Sequence, residues 1–323
     1  MENKPEQTAI KEEVQQVKEE KSENKEEINV DNKKAAEEKY ESGSELINEN
    51  KILEAIEELK IAVTLNPEYA KAYNNLGVAY EKANDNKKAI EAYRKSIMND
   101  PASVNAHANL AFLLLKEKFY THAALEFKKL KELNPEYPKI NYYIAVAYMG
   151  DNNYPDALDS FQKSILINQE LSTSYYNMGT IYFDQRKNAE SETAFKSAIQ
   201  ADPNFAVAYY SMGILLEQEK KDKEALEAYS SFVKLDSTST FAALANNKIN
   251  NLEKNITKQE EEARKAEEEK KRKEEEEKLR IEEEKKQEEE KQKQKKEKEQ
   301  KQEQEIIKTD NAEEIKKQDE IKK

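Results

Sequence analysis

Between about residues 36 and 255 the apolar side chains recur at three- and four-residue spacing, in short runs separated by brief polar breaks. The stretch from Ala70 shows the unit. AKAYNNLGVAYEKA presents one apolar face, Asn84-Asp85-Asn86 interrupts it, and KKAIEAYRKSIMND presents another. This pattern predicts helix, turn, helix. On either side of the region the chain turns to Glu, Lys, Gln and Asn, with little apolar content to bury.

The units keep time. Gly43, Gly77, Gly179 and Gly213 are spaced by multiples of 34 residues, as are Pro67, Pro101, Pro135 and Pro203. With only five glycines and seven prolines in the chain, chance does not set four of each on one period. A period near 34 marks a helical repeat array. Six windows fit without insertion or deletion: 36–69, 70–103, 104–137, 138–171, 172–205 and 206–239. The eighth position reads Gly43, Gly77, Ala111, Ala145, Gly179 and Gly213, and the twentieth Ala55, Ala89, Ala123, Ala157, Ser191 and Ala225. Small residues there let two antiparallel helices approach. The eleventh position (Leu46, Tyr80, Leu114, Tyr148, Tyr182, Leu216) and the twenty-fourth (Leu59, Tyr93, Phe127, Phe161, Phe195, Tyr229) supply the bulk that fills the gap. The prolines fall at the thirty-second position, where they stop the second helix. Pro138 and Pro155 fall in the first turn of a helix, where Pro is tolerated.

On these residues the chain resembles the tetratricopeptide repeat family over about two thirds of its length. The resemblance implies an all-α class: an α-solenoid of six helix-turn-helix repeats with a C-terminal capping helix and a long charged helical extension. Departures are local. Gln169 and Ser237 stand where proline is usual, Lys39 and Asn141 where the fourth residue is bulky, and Leu130 and Phe232 where position 27 is small. After the sixth window, Phe241, Leu244, Ala245, Ile249 and Leu252 read as one inward stripe over 240–255, with Asn246, Asn247, Asn250 and Asn251 facing water. That is the expected look of a cap.

The flanks read differently. Residues 1–35 are polar and aromatic-poor and read as a disordered segment. Its short Ala9-Ile10, Val14, Val17 stripe could dock on a partner or on the array. Residues 256–305 form a low-complexity Glu/Lys/Gln/Arg run without Gly or Pro. Ala263, Ala266, Leu279 and Ile281 keep no a/d rhythm, which argues against a coiled coil. Glutamates instead precede Lys or Arg by four residues, as in Glu260–Arg264, Glu261–Lys265, Glu267–Lys271, Glu268–Arg272, Glu269–Lys273 and Glu274–Lys278. At about 0.2–0.5 kcal/mol each, such pairs support a solitary solvated helix. The competing reading is a disordered polyampholyte. Residues 306–323, with Ile306, Ile307, Ile315 and Ile321, read as a frayed tail.

Composition narrows the function. A net charge of −13 disfavours nucleic-acid phosphates as a partner. The absence of cysteine excludes disulfides and thiolate metal sites. His107 and His122 share the third repeat, but a metal site needs more ligands at suitable spacing. No phosphate loop, GxGxxG or GxSxG occurs, so no catalytic residue, cofactor or metal is expected. No run of 18 apolar residues suggests a membrane span, and Met1 to Pro5 open no apolar leader, so the expected location is the cytoplasm.

In the resembled family, positions 2, 5, 9 and 12 of each first helix line a concave groove. Position 5 carries Tyr40, Tyr142, Tyr176 and Tyr210, with Asn74 and Ala108 between them. Position 9 supplies Val78, Phe112, Val146 and Ile214, and position 12 Leu115, Met149 and Phe183. Position 6 adds Asn75, Asn109 and Asn177, a broken version of the amide ladder by which some relatives hold an extended peptide. Lys71 and Lys139 are present, but the remaining residues of a carboxylate clamp are not. The resemblance therefore implies a monomeric, non-catalytic adaptor that takes an apolar-containing protein or peptide segment in the groove. The alternative is a structural component of a larger complex with the charged helix as spacer.

Overall fold

The computed structural model describes residues 30–321, which are helical throughout apart from short turns. The short stripe read at Ala9 to Val17 lies outside the described residues, as does the rest of 1–29. Twelve helices form six consecutive hairpins. The first pairs α1 (30–48) with α2 (Ile52–Leu65), the second α3 (Ala70–Lys82) with α4 (Asn86–Asn99), and the third α5 (Val104–Lys116) with α6 (Tyr120–Leu133). Then come α7 (Ile140–Gly150) with α8 (Tyr154–Leu166), α9 (Leu171–Asp184) with α10 (Asn188–Ala201), and α11 (Ala206–Gln218) with α12 (Asp222–Leu235). A single helix, α13 (Thr240–Ile321), follows. From α2 onward the main contacts join consecutive helices, with α3 also meeting α5. This is the nearest-neighbour stacking of a solenoid.

The hairpins close where the period places small against large. A Cβ on Gly77 would lie 2.5 Å from the Tyr93 ring, one on Gly179 2.6 Å from Phe195, and one on Gly213 2.7 Å from Tyr229. The twenty-fourth position is sealed in every repeat: Leu59, Tyr93, Phe127, Phe161, Phe195 and Tyr229 are all at most 2% exposed. Position 11 is sealed only where it is Leu114 or Leu216; Tyr80, Tyr148 and Tyr182 remain half-buried. Gly77→Val should therefore lower the unfolding free energy by about 1–3 kcal/mol through overpacking. Urea denaturation followed by circular dichroism measures it. An unchanged midpoint would mean that helices α3 and α4 are not held apart only by a hydrogen atom.

The turns inside the hairpins use no glycine. Position 15 of every repeat (Asn50, Asn84, Lys118, Asn152, Arg186, Lys220) takes a left-handed backbone, with φ between 58° and 63°. The next amide then bonds back to the position-11 carbonyl, as in Asp85 N to Tyr80 O at 2.9 Å and Phe119 N to Leu114 O at 2.8 Å. That is the helix-ending motif usually served by glycine or asparagine; here Lys118, Arg186 and Lys220 serve it as well. Between hairpins, Asp100 and Asp202 accept from the amides of Ala102 and Asn204 at the Asp-Pro links. The link at Gln169, one of the two positions that lack the proline, differs. Asn168 and Glu170 both take positive φ, and the Ser164 hydroxyl donates to the Gln169 carbonyl at 2.6 Å.

The departures at positions 4 and 27 are absorbed locally. Leu130 and Phe232 are buried, at 0% and 3% exposure. Ser96, also buried, donates to the Ala70 carbonyl at 2.8 Å. Asn141 is buried, at 8% exposure. It accepts from Lys131 Nζ at 2.7 Å and lines an open recess of about 490 Å³ with Ile144, Tyr148, Ser160 and Lys163.

Two end effects differ from the sequence expectation. Helix α1 is already formed at residue 30, six residues before the first window begins at Ala36. Helix α13 stays helical to Ile321, through residues read as frayed, because 306–321 holds neither Gly nor Pro. Its first turns cap the array. Ala242, Ala245 and Leu252 are buried, and Asn246, Asn247, Asn250 and Asn251 are exposed. Phe241 and Leu244 do not point inward as the stripe implied; they are 54% and 51% exposed. Helix α13 stays tied to α12 as far as Lys223–Glu260 at 2.6 Å and Gln259–Asp222 at 3.1 Å. Beyond Glu260 every described side chain is exposed. There Glu267–Lys271 and Glu269–Lys273 pair at 3.0 and 2.7 Å, whereas Arg264 and Arg272 turn toward the glutamates four residues further on.

Candidate ligand groove

Successive first helices touch one another through positions 5, 6 and 9, so these positions form a continuous strip along the array. At its N-terminal end the strip is polar. The Asn109 amide donates to Asn74 Oδ1 at 3.0 Å, Asn74 to Asn75 Oδ1 at 3.3 Å, Asn75 to Ser44 Oγ at 2.8 Å, and Ser44 to the Tyr40 carbonyl at 2.6 Å. One relay of side-chain amides thus crosses three repeats. Further along, burial pushes the Tyr142 hydroxyl above its ordinary pKa, and the hydrogen bond from Asn177 opposes that rise. The asparagines expected to hold a ligand are engaged with the protein itself.

From the third repeat the strip becomes aromatic. The Phe112 ring meets Phe127 edge-on at 5.1 Å and Tyr143 at 4.7 Å. Tyr142 leans on Phe161 at 6.0 Å, Tyr176 on Phe195 at 5.8 Å and Phe205 at 5.6 Å, and Tyr210 on Tyr229 at 5.6 Å and Phe232 at 5.1 Å. Each ring rests one face on the aromatic core of its own hairpin. Tyr40 packs instead on the half-buried Tyr69, in the link before α3, at 5.1 Å. Val78 and Leu115 pack on the core of the second and third repeats, Val146 and Met149 on that of the fourth, and Phe183 on that of the sixth. Among the residues expected to line the groove, Asn177 is buried at 9% exposure and Ile214 is 37% exposed; the others are half-buried. They are a wall with one face on the core, neither sealed nor fully free.

The sequence reading missed the last part of this wall. On the 34-residue clock Phe241 and Leu244 are the second and fifth positions of a seventh first helix. The Phe241 ring lies 5.5 Å from Tyr210, which extends the strip onto α13. Val207, at position 2 of the sixth repeat, is 39% exposed beside it in the register. The period carried this signal; apolarity alone assigned both residues to the cap.

Charge is nearly absent. Across α5, α7, α9, α11 and the start of α13, positions 2, 5, 9 and 12 include only Lys139, Glu217 and Lys248 as charged residues. All three are matched. Lys139 pairs with Glu170. Glu217 accepts from Lys248 Nζ at 2.9 Å and from the Tyr229 hydroxyl at 3.0 Å. No group of three or more His, Cys, Asp or Glu among the described residues is placed to hold a metal. His107 is buried, with Nδ1 2.6 Å from Glu126 and Nε2 3.2 Å from the Pro101 carbonyl. No described helix is long and apolar enough to cross a membrane.

Stacked two-helix units with a shared inner strip define a repeat protein of the α-solenoid class. Comparison with family models places it further. Tetratricopeptide repeat models match residues 70–103 and 176–240, and a TPR repeat model matches 43–84. The chain is a tetratricopeptide repeat protein, a family whose members are generally protein-interaction scaffolds. No curated protein matches it. Similar solved structures include YrrB, described as a TPR protein with an unusual peptide-binding site (19% identity, 58% of this chain and 97% of that one, TM-score 0.47). Others are pilF of Pseudomonas aeruginosa (17%, 67% and 98%, 0.49) and MamA of Desulfovibrio magneticus RS-1 (17%, 53% and 97%, 0.48).

Proposed function

We propose that this chain is a non-catalytic, monomeric adaptor that holds an apolar segment of a partner protein against the strip from Phe112 to Phe241. The observation that carries this reading is the wall itself: half-buried aromatics and aliphatics on the alternate helices α5, α7, α9 and α11, continued by the exposed Phe241 and Leu244 of α13, with every charge among their groove positions already matched. Large apolar patches of this kind mark interaction sites on water-soluble surfaces, and aromatic side chains are favoured anchors. The charged part of α13 carries whatever it bears away from the groove, as a spacer or a second contact. Placing charge in the wall tests the reading. Val207→Glu with Ile214→Glu, both on the exposed side of the strip, should leave helicity and the denaturation midpoint near those of the parent and abolish affinity capture of partners, since a desolvated carboxylate there finds no counter-charge. Recovery of the same partners by the double variant would remove the groove from consideration.

A further inference from the structure

The recess where α6 meets the α7–α8 hairpin gathers three register positions: position 28 of one repeat with positions 4 and 23 of the next. Elsewhere position 28 is aliphatic, as Val63, Ile97, Ile165, Ile199 and Val233. Positions 4 and 23 are Tyr73 with Ala92, Tyr175 with Ala194 and Tyr209 with Ala228, or a matched pair, Lys39 with Glu58 at 2.8 Å and His107 with Glu126 at 2.6 Å. At the junction of the third and fourth repeats alone, all three are polar, as Lys131, Asn141 and Ser160.

These side chains do not exhaust one another. A lysine only donates, so it is the Asn141 oxygen that accepts from Lys131 Nζ, at 2.7 Å. The Asn141 amide hydrogens and the Ser160 hydroxyl then have no hydrogen-bond partner among the described residues, although the two side chains are only 8% and 7% exposed. Neither group is among the polar atoms sealed from solvent without a partner, so both open to the recess of about 490 Å³ that their residues line. A buried donor left unmade is costly. The charge left over there is positive. Glu132 is taken by Lys129 at 3.0 Å, Asp159 by Lys163, and Asp156 accepts from Asn153 at 2.8 Å. Lys128 and Lys131 pair with no carboxylate among the described residues.

We propose that this recess binds a carboxylate carried on a short apolar stem. The carboxylate accepts from Lys131 Nζ, the Asn141 amide and the Ser160 hydroxyl, and Lys128 adds charge from the rim. The stem lies on Ile144 and Tyr148, which line the same space. An ionised acceptor forms the stronger hydrogen bond with each of these donors and supplies the counter-ion that Lys131 lacks. A free carboxylic acid and an acidic side chain or C-terminus of a partner polypeptide share this chemistry. The site has no residue in common with the groove strip and stands whether or not that strip is occupied.

Butyrate is the first probe. Titrated into the isotopically labelled full chain, it should saturably shift the Asn141 side-chain amide and Ile144 methyl resonances, and n-butylammonium should not. Lys131→Met should weaken butyrate by about tenfold or more. Lys131→Ile with Asn141→Tyr and Ser160→Ala gives this junction the set that Ile165, Tyr175 and Ala194 form at the next. That triple variant should lose the Ile144 response while its denaturation midpoint holds or rises, since it follows the consensus of the array. Equal responses to the two probes, no response to either, or undiminished butyrate binding by Lys131→Met would overturn the site. A library of free-ended heptapeptides, panned on the parent and counter-selected on the triple variant, separates the sources. Enrichment of Asp, Glu or the C-terminal carboxylate at the contact supports a polypeptide ligand, and butyrate binding without such enrichment supports a free acid. Enrichment of Lys or Arg in their place would overturn the carboxylate.

Discussion

Phe161→Ala should lower the unfolding free energy by about 3–5 kcal/mol, the cost of removing a fully buried aromatic without refilling its space. The ring is 0% exposed, enclosed by Ala145, Ala157 and Ile181, with Tyr142 leaning on it. The loss should also spread to the groove, because Tyr142 has its core-side face on this ring. Met98→Ala is the comparison: Met98 is 78% exposed, and such a change should stay within about 0.5 kcal/mol. Chemical denaturation of the two variants measures the difference. Equal effects would show that the 34-residue register is misplaced.

The second large effect is alkaline. Tyr93 and Tyr229 are sealed, at 1% and 0% exposure, and each hydroxyl donates to a carboxylate: Tyr93 to Glu81 at 3.1 Å and Tyr229 to Glu217 at 3.0 Å. Burial first, and the neighbouring carboxylate next, hold both pKa values far above the ordinary 10.0. A folded-state value raised in this way favours the proton-bound form. The contribution is complete below about pH 10 and drains away as pH climbs past it, because the unfolded chain then releases protons the folded one retains. The slope is at most about 1.4 kcal/mol per pH unit for each tyrosine. By pH 12 the combined loss approaches that of a core truncation. Denaturation midpoints from pH 8 to 12 should fall more steeply for the parent than for Tyr93→Phe with Tyr229→Phe, which has nothing to ionise at those sites. Parallel profiles would mean that the hydroxyls are not enclosed.

The architecture was readable because one geometric demand repeats. Gly77 must face Tyr93 and Gly179 must face Phe195, so both members of each contact return every 34 residues. Other features left no such trace. Lys118, Arg186 and Lys220 hold left-handed turns that propensity assigns to glycine or asparagine; the demand there is set by helix geometry, and the cost of about 1–2 kcal/mol is absorbed by the packed hairpin. Tyr80, Tyr148 and Tyr182 share a position with buried leucines yet stay half-exposed, as a hydroxyl-tipped ring can keep its polar end at the surface. At the groove, the side-chain types were legible and their engagement was not. Asn75 and Asn109 stand where a ladder would need them, but Asn74 and Ser44, one position in register away from the expected set or outside it, take their hydrogen bonds. Phe241 and Leu244 look like cap residues by hydropathy, but both are more than half exposed and the Phe241 ring lies 5.5 Å from Tyr210, as their place in the register implies.

The union of cap and rod in α13 has a mechanical consequence. From Thr240 to Ile321 there is no joint, so whatever sits at the far end is phased to the repeat array like a hand on a shaft. Deleting one residue beyond Glu260 shortens the shaft by only about 1.5 Å but swings its far end through about 100°. A deletion of seven residues nearly restores the azimuth and takes away about 10 Å. Sensitivity to azimuth rather than to reach is therefore what distinguishes this shaft from a flexible tether.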